Sequence, residues 1–149
     1  VKYFIDTNVI IDLLKNKDEA KEQLNALLIQ EDSELFINRL VLIESLRTIR
    51  FDNKKIFREA QATLERFEQV NIKQEIYDEA IAFSRYCHSK GITLKGKCEA
   101  IDFLHFITAK HYELILITND KDFEGLETKY SDYEKYITKG NPKLNVTTR

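Results

Sequence analysis

The sequence predicts an α/β protein, a three-layer sandwich in which helices flank a mainly parallel central sheet. Three observations carry that expectation. Short apolar runs that read as buried strands (KYFI at 2–5, LFI at 35–37, LILIT at 114–118) alternate with longer helical segments. Strands separated by helices pair in parallel through crossover connections. The 149 residues are the size of one compact domain, which can bury about two-thirds of its unfolded surface. No internal repeat, low-complexity segment or second domain is visible, so residues 1–149 are expected to form a single domain.

The elements follow in order. KYFI is the first strand, and Val9 to Leu14 carries an apolar stripe that continues as a helix, with Thr7 or Asn8 able to cap it. A second helix fits Asp18 to Gln30, where Ala20, Leu24, Leu27 and Leu28 fall on one face. After the LFI strand the next helix spans Arg39 to Arg50. Asn53 to Phe67 repeats the helical period through Ile56, Ala60 and Leu64, and VNI at 70–72 is a candidate strand. Ile76, Ala80, Phe83 and Cys87 mark a helix that runs up to Gly91. Glu99 to His111 is apolar on most sides, which predicts burial against the sheet and a further element. LILIT is the strongest strand. A last strand is expected near Tyr133 to Thr138, and residues 139–149, with Gly140 and Pro142, read as a loose tail.

Composition removes several classes of function. With 43% apolar and 32% charged residues, disorder is not expected. No apolar run approaches the ~20 residues of a membrane span, and the first residues lack a signal-type pattern. The expectation is a cytoplasmic protein without a membrane. Cys87 and Cys98 match no common zinc spacing and read as buried free thiols. A net charge of −2 argues against gripping nucleic acid by bulk positive charge and leaves room for local patches.

The informative residues are acids. In open α/β sheets, sites form outside the carboxyl ends of the strands. Asp6 directly follows YFI, and Asp120 lies just beyond LILIT in TNDKDF, with Asp122 two residues later. Glu44 in LVLIESL and Asp102 in AIDFLHF sit among apolar residues on helices. Taken singly, each reads as a cap or a solvent-facing charge. Were Asp6, Glu44, Asp102 and Asp120 to converge, their mutual repulsion would call for a cation. Mg²⁺ or Mn²⁺ is the natural one, hard and oxygen-loving.

FIDTNVIIDLL, VLIESL, AIDFLHFITAK and LILITNDKDF, in this order and spacing, resemble the PIN domain, and most of all the VapC-type toxins of toxin–antitoxin pairs. The likeness spans about residues 3–126. It implies a PIN-like three-layer sandwich and a Mg²⁺- or Mn²⁺-dependent endoribonuclease whose four acids are Asp6, Glu44, Asp102 and Asp120, with Asn8 and Thr118 supporting the site by hydrogen bonding. The chain departs at Val41, where members often carry Thr or Ser. Asp122 is the alternative fourth acid, a neighbouring acid or a helix cap. Glu99, one helical turn before Asp102, is a candidate for a second metal, and Asp12 reads as solvent-facing.

If the acids converge, the reaction is phosphodiester hydrolysis by metal-activated water, with Asp6, Asp102 and Asp120 as direct or water-mediated ligands and Glu44 as ligand or water-orienting group. Arg39, Arg47 and Arg50 around Glu44, and Lys95 and Lys97 before Asp102, are the cations able to offset the acids for RNA. The resemblance further implies a homodimer and a VapB-like antitoxin whose segment fills a groove near the site. Other readings stay open at this stage: a PIN nuclease for housekeeping RNA processing or for DNA, a non-catalytic RNA- or protein-binding module, and phosphoryl transfer through an aspartyl nucleophile. The last is disfavoured because no D-x-D follows the first strand.

Overall fold

A computed structural model describes residues 1–30, 32–94 and 99–140. They fall into two compact units, one of residues 1–73 and 108–119, the other of 74–107 and 120 onward. Among the described residues, no helix is long and apolar enough to cross a membrane.

The first unit is built on a four-stranded parallel sheet in the order β3-β2-β1-β4. The strands are β1 (Lys2–Ile5), β2 (Glu34–Ile37), β3 (Glu68–Gln69) and β4 (Ile115–Ile117). β1 is central. It pairs with β2 through Tyr3↔Leu35 and Phe4↔Phe36, and with β4 through Phe4↔Leu116 and Ile5↔Ile117. Successive strand side chains point to opposite faces, yet Tyr3, Phe4 and Ile5 are all buried, so helices cover both faces of β1. The expected α/β sandwich with a parallel sheet is therefore present. The helices are α1 (Thr7–Leu14), α2 (Asp18–Leu28), α3 (Arg39–Leu46) and α4 (Lys54–Leu64). Val9 and Ile10 of α1, Leu24 of α2, Val41 of α3 and Leu64 of α4 join the strand residues in one core.

Two details of this unit differ from the sequence reading. The third strand lies at Glu68–Gln69, just before VNI, because Phe36↔Glu68 and Ile37↔Gln69 set the register. Helix α3 stops at Leu46, four residues short of Arg50, in a turn closed by Ile49 N–H bonding the Leu46 carbonyl.

The second unit contains α5 (Gln74–Ser89), the greater part of α6 (Glu99–His111), a 3₁₀ turn at Lys121–Phe123 and α7 (Leu126–Gly140). α5 closes with Gly91 at φ +71°, where Ile92 N–H reaches back to the Cys87 carbonyl and Gly91 N–H to that of His88. That pair of bonds satisfies the helix end and needs a left-handed residue, which glycine adopts without strain. The strand expected at Tyr133–Thr138 is instead part of α7. Its Tyr130 and Tyr133 recur at helical spacing and pack on Phe83 of α5, with ring centroids 5.2 and 5.4 Å away. Phe103 and Phe106 of α6 meet the same ring at 5.7 and 5.6 Å. The expected tail lies mostly outside the described residues.

Candidate functional site

Strand β1 delivers Asp6 to the carboxyl edge of the sheet. The Ile5↔Ile117 pairing is continued by Asp6 N–H, which donates to the Ile117 carbonyl at 2.9 Å and so brings Asp6 alongside Thr118. Asp6 is only 3% exposed. Its Oδ1 accepts from Thr7 N–H at 2.8 Å and its Oδ2 from the Thr118 hydroxyl at 2.8 Å. The Asp6 carbonyl takes the first helical bonds, from Val9 and Ile10 N–H. Asp6 is thus the N-cap of α1, where Thr7 or Asn8 was expected, because the chain is still extended at Asp6 (φ −68°, ψ 153°) and turns helical at Thr7. A carboxylate suits that place, since the first N–H groups of a helix are unpaired and their dipoles favour negative charge.

Glu44 is positioned by α3. Asn38, fully buried, starts that helix by accepting Val41 N–H at 3.0 Å. Val41 turns inward into the core. Glu44, one turn further on, is half-buried, and its Oε1 accepts the Thr7 hydroxyl at 2.6 Å. A short bond from a hydroxyl to a carboxylate is charge-assisted. Thr7 therefore ties two acids together, with its backbone N–H on Asp6 and its side chain on Glu44. Arg39 and Arg47, at the start of α3 and just past its end, are exposed. Arg50 is exposed as well and pairs with Asp52 at 2.9 Å.

Asn8 and Thr118 complete this cluster. Asn8 Nδ2 donates to Thr118 Oγ1 at 3.3 Å, and Asn119 N–H donates to Asn8 Oδ1 at 3.2 Å. Asp12, expected to face solvent, is half-buried; it accepts from Asn119 Nδ2 at 3.1 Å and pairs with Lys17 at 3.0 Å. Sequence reasoning missed Thr7 as a link, Asn38 as the α3 cap, and Asn119. The sequence carries one signal for Asp12: it follows Asn8 by four residues, which puts both on one face of α1.

The remaining candidates belong to the second unit. Asp102 lies in the first turn of α6, half-exposed. Glu99 opens that helix, with Oε2 accepting Leu94 N–H at 2.6 Å and Oε1 2.7 Å from His88 Nε2. The Leu94 N–H first, and His88 second, hold the Glu99 carboxyl below its ordinary pKa. Asp120 caps the 3₁₀ turn by accepting Asp122 N–H at 2.9 Å, so Asp122 is the capped residue and Asp120 the cap. Lys95 and Lys97 lie outside the described residues.

The donors gathered around Asp6 are carboxylate, hydroxyl and amide oxygens, the chemistry of a hard divalent cation. Among the described residues, no group of three or more His, Cys, Asp or Glu is set to hold a metal. Mg²⁺ does not require one, because it is commonly bound through one or two carboxylates and keeps waters that substrate phosphate replaces.

Comparison with known proteins bears on the family and the fold. Residues 3–129 match the sequence model of the PIN domain. No curated protein matches the chain. Among solved structures, the chain is similar to a toxin–antitoxin complex from Klebsiella pneumoniae, at 28% identity and a TM-score of 0.62, over 83% of this chain and 91% of that one. It shares a fold with VapBC2 from Rickettsia felis, solved bound to a DNA fragment from their promoter, at 19% identity and a TM-score of 0.69, over 83% and 92% of the two chains.

Proposed function

The chain belongs to the PIN domain family, and from that premise we propose that it is a Mg²⁺- or Mn²⁺-dependent endoribonuclease, the toxin of a VapBC-type toxin–antitoxin pair. The observation that carries the reading is the buried Asp6 carboxylate at the end of the central strand, bonded to Thr118 and linked through Thr7 to Glu44. In this reading Asp6, Asp102 and Asp120 hold the metal directly or through water, and Glu44 is a ligand or orients the attacking water. When bound, the divalent ion lowers the pKa of its water and stabilises the charge that develops on the phosphate. The protein's own part is to hold the carboxylates in place and to offset their charge for RNA, for which Arg39, Arg47, Lys95 and Lys97 are the candidates. Asp122 and Glu99 stay in reserve as further acids.

The partners in this reading are RNA, an antitoxin and a second copy of the chain. The first unit has a groove of about 490 Å³ where β2 begins, lined by Leu13, Leu24, Leu28, Leu35 and Phe67 together with polar and charged residues that include Lys21, Glu34, Arg66 and Glu68, and in this reading the antitoxin occupies it although it lies away from Asp6. An amphipathic segment binds such grooves through spaced apolar anchors. The similar structure from Klebsiella pneumoniae, 28% identical, is itself a toxin–antitoxin complex, which supports the same pairing.

The test is RNA cleavage by the purified protein, free of partner, with Mg²⁺, Mn²⁺ or EDTA. Cleavage is expected with either metal and lost in EDTA, in Asp6→Asn and in Asp102→Asn, with far-UV circular dichroism unchanged. Equal cleavage by wild type and both variants would refute the assignment. Expression should arrest growth, and co-expression of the antitoxin should relieve the arrest, which separates a toxin from a housekeeping nuclease.

A further inference from the structure

Asp12 and Asn119 take no part in the proposed chemistry, yet both lie in one hydrogen-bond chain that ends on Asp6. Lys17 Nζ sits 3.0 Å from Asp12 Oδ1, and Asp12 Oδ2 accepts from Asn119 Nδ2 at 3.1 Å. Asn119 N–H donates to Asn8 Oδ1 at 3.2 Å, and Asn8 Nδ2 donates to Thr118 Oγ1 at 3.3 Å. The Thr118 hydroxyl donates to Asp6 Oδ2 at 2.8 Å.

The direction of every link is determined. A backbone N–H only donates, so the atom facing Asn119 N–H has to be the Asn8 oxygen; a flipped amide would set two donors against each other. The Asn8 nitrogen then faces Thr118, whose oxygen must accept. That leaves the single hydroxyl hydrogen of Thr118 for Asp6 Oδ2. Asp12 acts at the far end, because an ionised carboxylate only accepts and so turns the nitrogen of the Asn119 amide toward α1. It is itself well held. Lys17 bonds the Asp12 carbonyl through its backbone N–H at 3.0 Å and the Asp12 carboxylate through its ammonium.

We infer that Asp12 and Asn119 are positioning residues for Asp6: by fixing the Asn8 amide they aim the Thr118 hydroxyl and so hold the Asp6 carboxylate in the orientation a divalent cation requires. The geometry stands by itself. Its consequence for metal binding rests on the nuclease reading, and the experiment separates the two.

The side-chain amide signals of Asn8 and Asn119 are followed by NMR in metal-free protein, and the Kd for Mn²⁺ is measured by calorimetry beside the kinetics of RNA cleavage. In Asp12→Ala the Asn8 amide signals are expected to move toward those of an unbonded amide, although Asn8 does not touch Asp12. The Kd for Mn²⁺ should rise about tenfold, the cost commonly seen when a group supporting a metal ligand is lost. kcat should fall with KM for RNA unchanged. Asp12→Asn keeps an oxygen for Asn119 Nδ2 and should return all three readings close to wild type. Lys17→Ala removes only a surface ion pair and should change little. Asn119→Ala, at an exposed position, repeats the Asp12→Ala result with no risk to the core. Unmoved Asn8 signals in both alanine variants would overturn the inference, as would an unchanged Kd for Mn²⁺ once those signals have moved. Wild-type protein that neither binds Mn²⁺ nor cuts RNA would refute both the nuclease reading and the metal-positioning role, whatever the Asn8 signals do.

Discussion

Replacing Thr7 by Val tests the link between the two acids of the first unit. The change keeps the β-branched shape and removes one hydroxyl, which donates to Glu44 Oε1 at 2.6 Å in a site where Thr7 is 8% exposed. A hydrogen bond to a charged group contributes about 1.5–3 kcal/mol. Glu44 is half-buried, and the water that reaches it offsets part of the loss, so the lower end, about 1.5 kcal/mol, is expected. For a domain of this size that corresponds to a fall in Tm of roughly 3–6 °C. Calorimetry and urea titration of the metal-free protein measure it, with Thr7→Ser as the control that keeps the hydroxyl. The cycle with Glu44→Ala, which leaves no acceptor for the Thr7 hydroxyl, should show about 1 kcal/mol of coupling, because the two residues are in direct contact. A Tm within about 1 °C of wild type, or strictly additive effects, would show that the bond contributes nothing.

Phe83 is fully buried and meets four aromatic rings, so Phe83→Ala should cost about 3–5 kcal/mol in urea unfolding; a loss below about 1 kcal/mol would contradict that packing. Burial pushes the Cys87 thiol up to about 11, so in a Cys98→Ser background the folded protein should not react with a thiol reagent at pH 8 until urea is added. The Glu99 carboxyl is held below its ordinary 4.5, so its contribution to stability is full above that value and fades as pH falls below it. Glu99→Gln should therefore be less stable than wild type at pH 6, with the gap narrowing at pH 3.5; a gap that widens in acid would reverse the sign.

The parallel sheet and six of the seven helices among the described residues were legible because their signals are local: apolar runs for strands buried on both faces, and a period of three to four for helices. Where the reading failed, a distant partner decided. Tyr133 to Thr138 looked like a strand because aromatic and β-branched residues favour strands, but Tyr130 and Tyr133 are held at helical spacing by Phe83 on α5. Glu68 and Gln69 gave no strand signal because an edge strand can be exposed and polar, as both are. The acids were found one by one from strand ends and motifs. That Thr7 reaches Glu44 across 37 residues, and Asn119 reaches Asp12 across 107, depends on sheet order and register, which no local pattern encodes.

The order β3-β2-β1-β4 also sets a timetable for synthesis. β1, made before the other three strands, lies inside the sheet, paired on one side with β2 and on the other with a strand that ends at Ile117. At ~5–20 residues per second, β4 follows β2 by roughly ten seconds. Throughout that interval Asp6 lacks Thr118, and the half-built sheet has an open edge. On the nuclease reading, an unfinished chain emerging beside the ribosome's own RNA carries no assembled site, so the strand order delays activity until nearly the whole domain has been made.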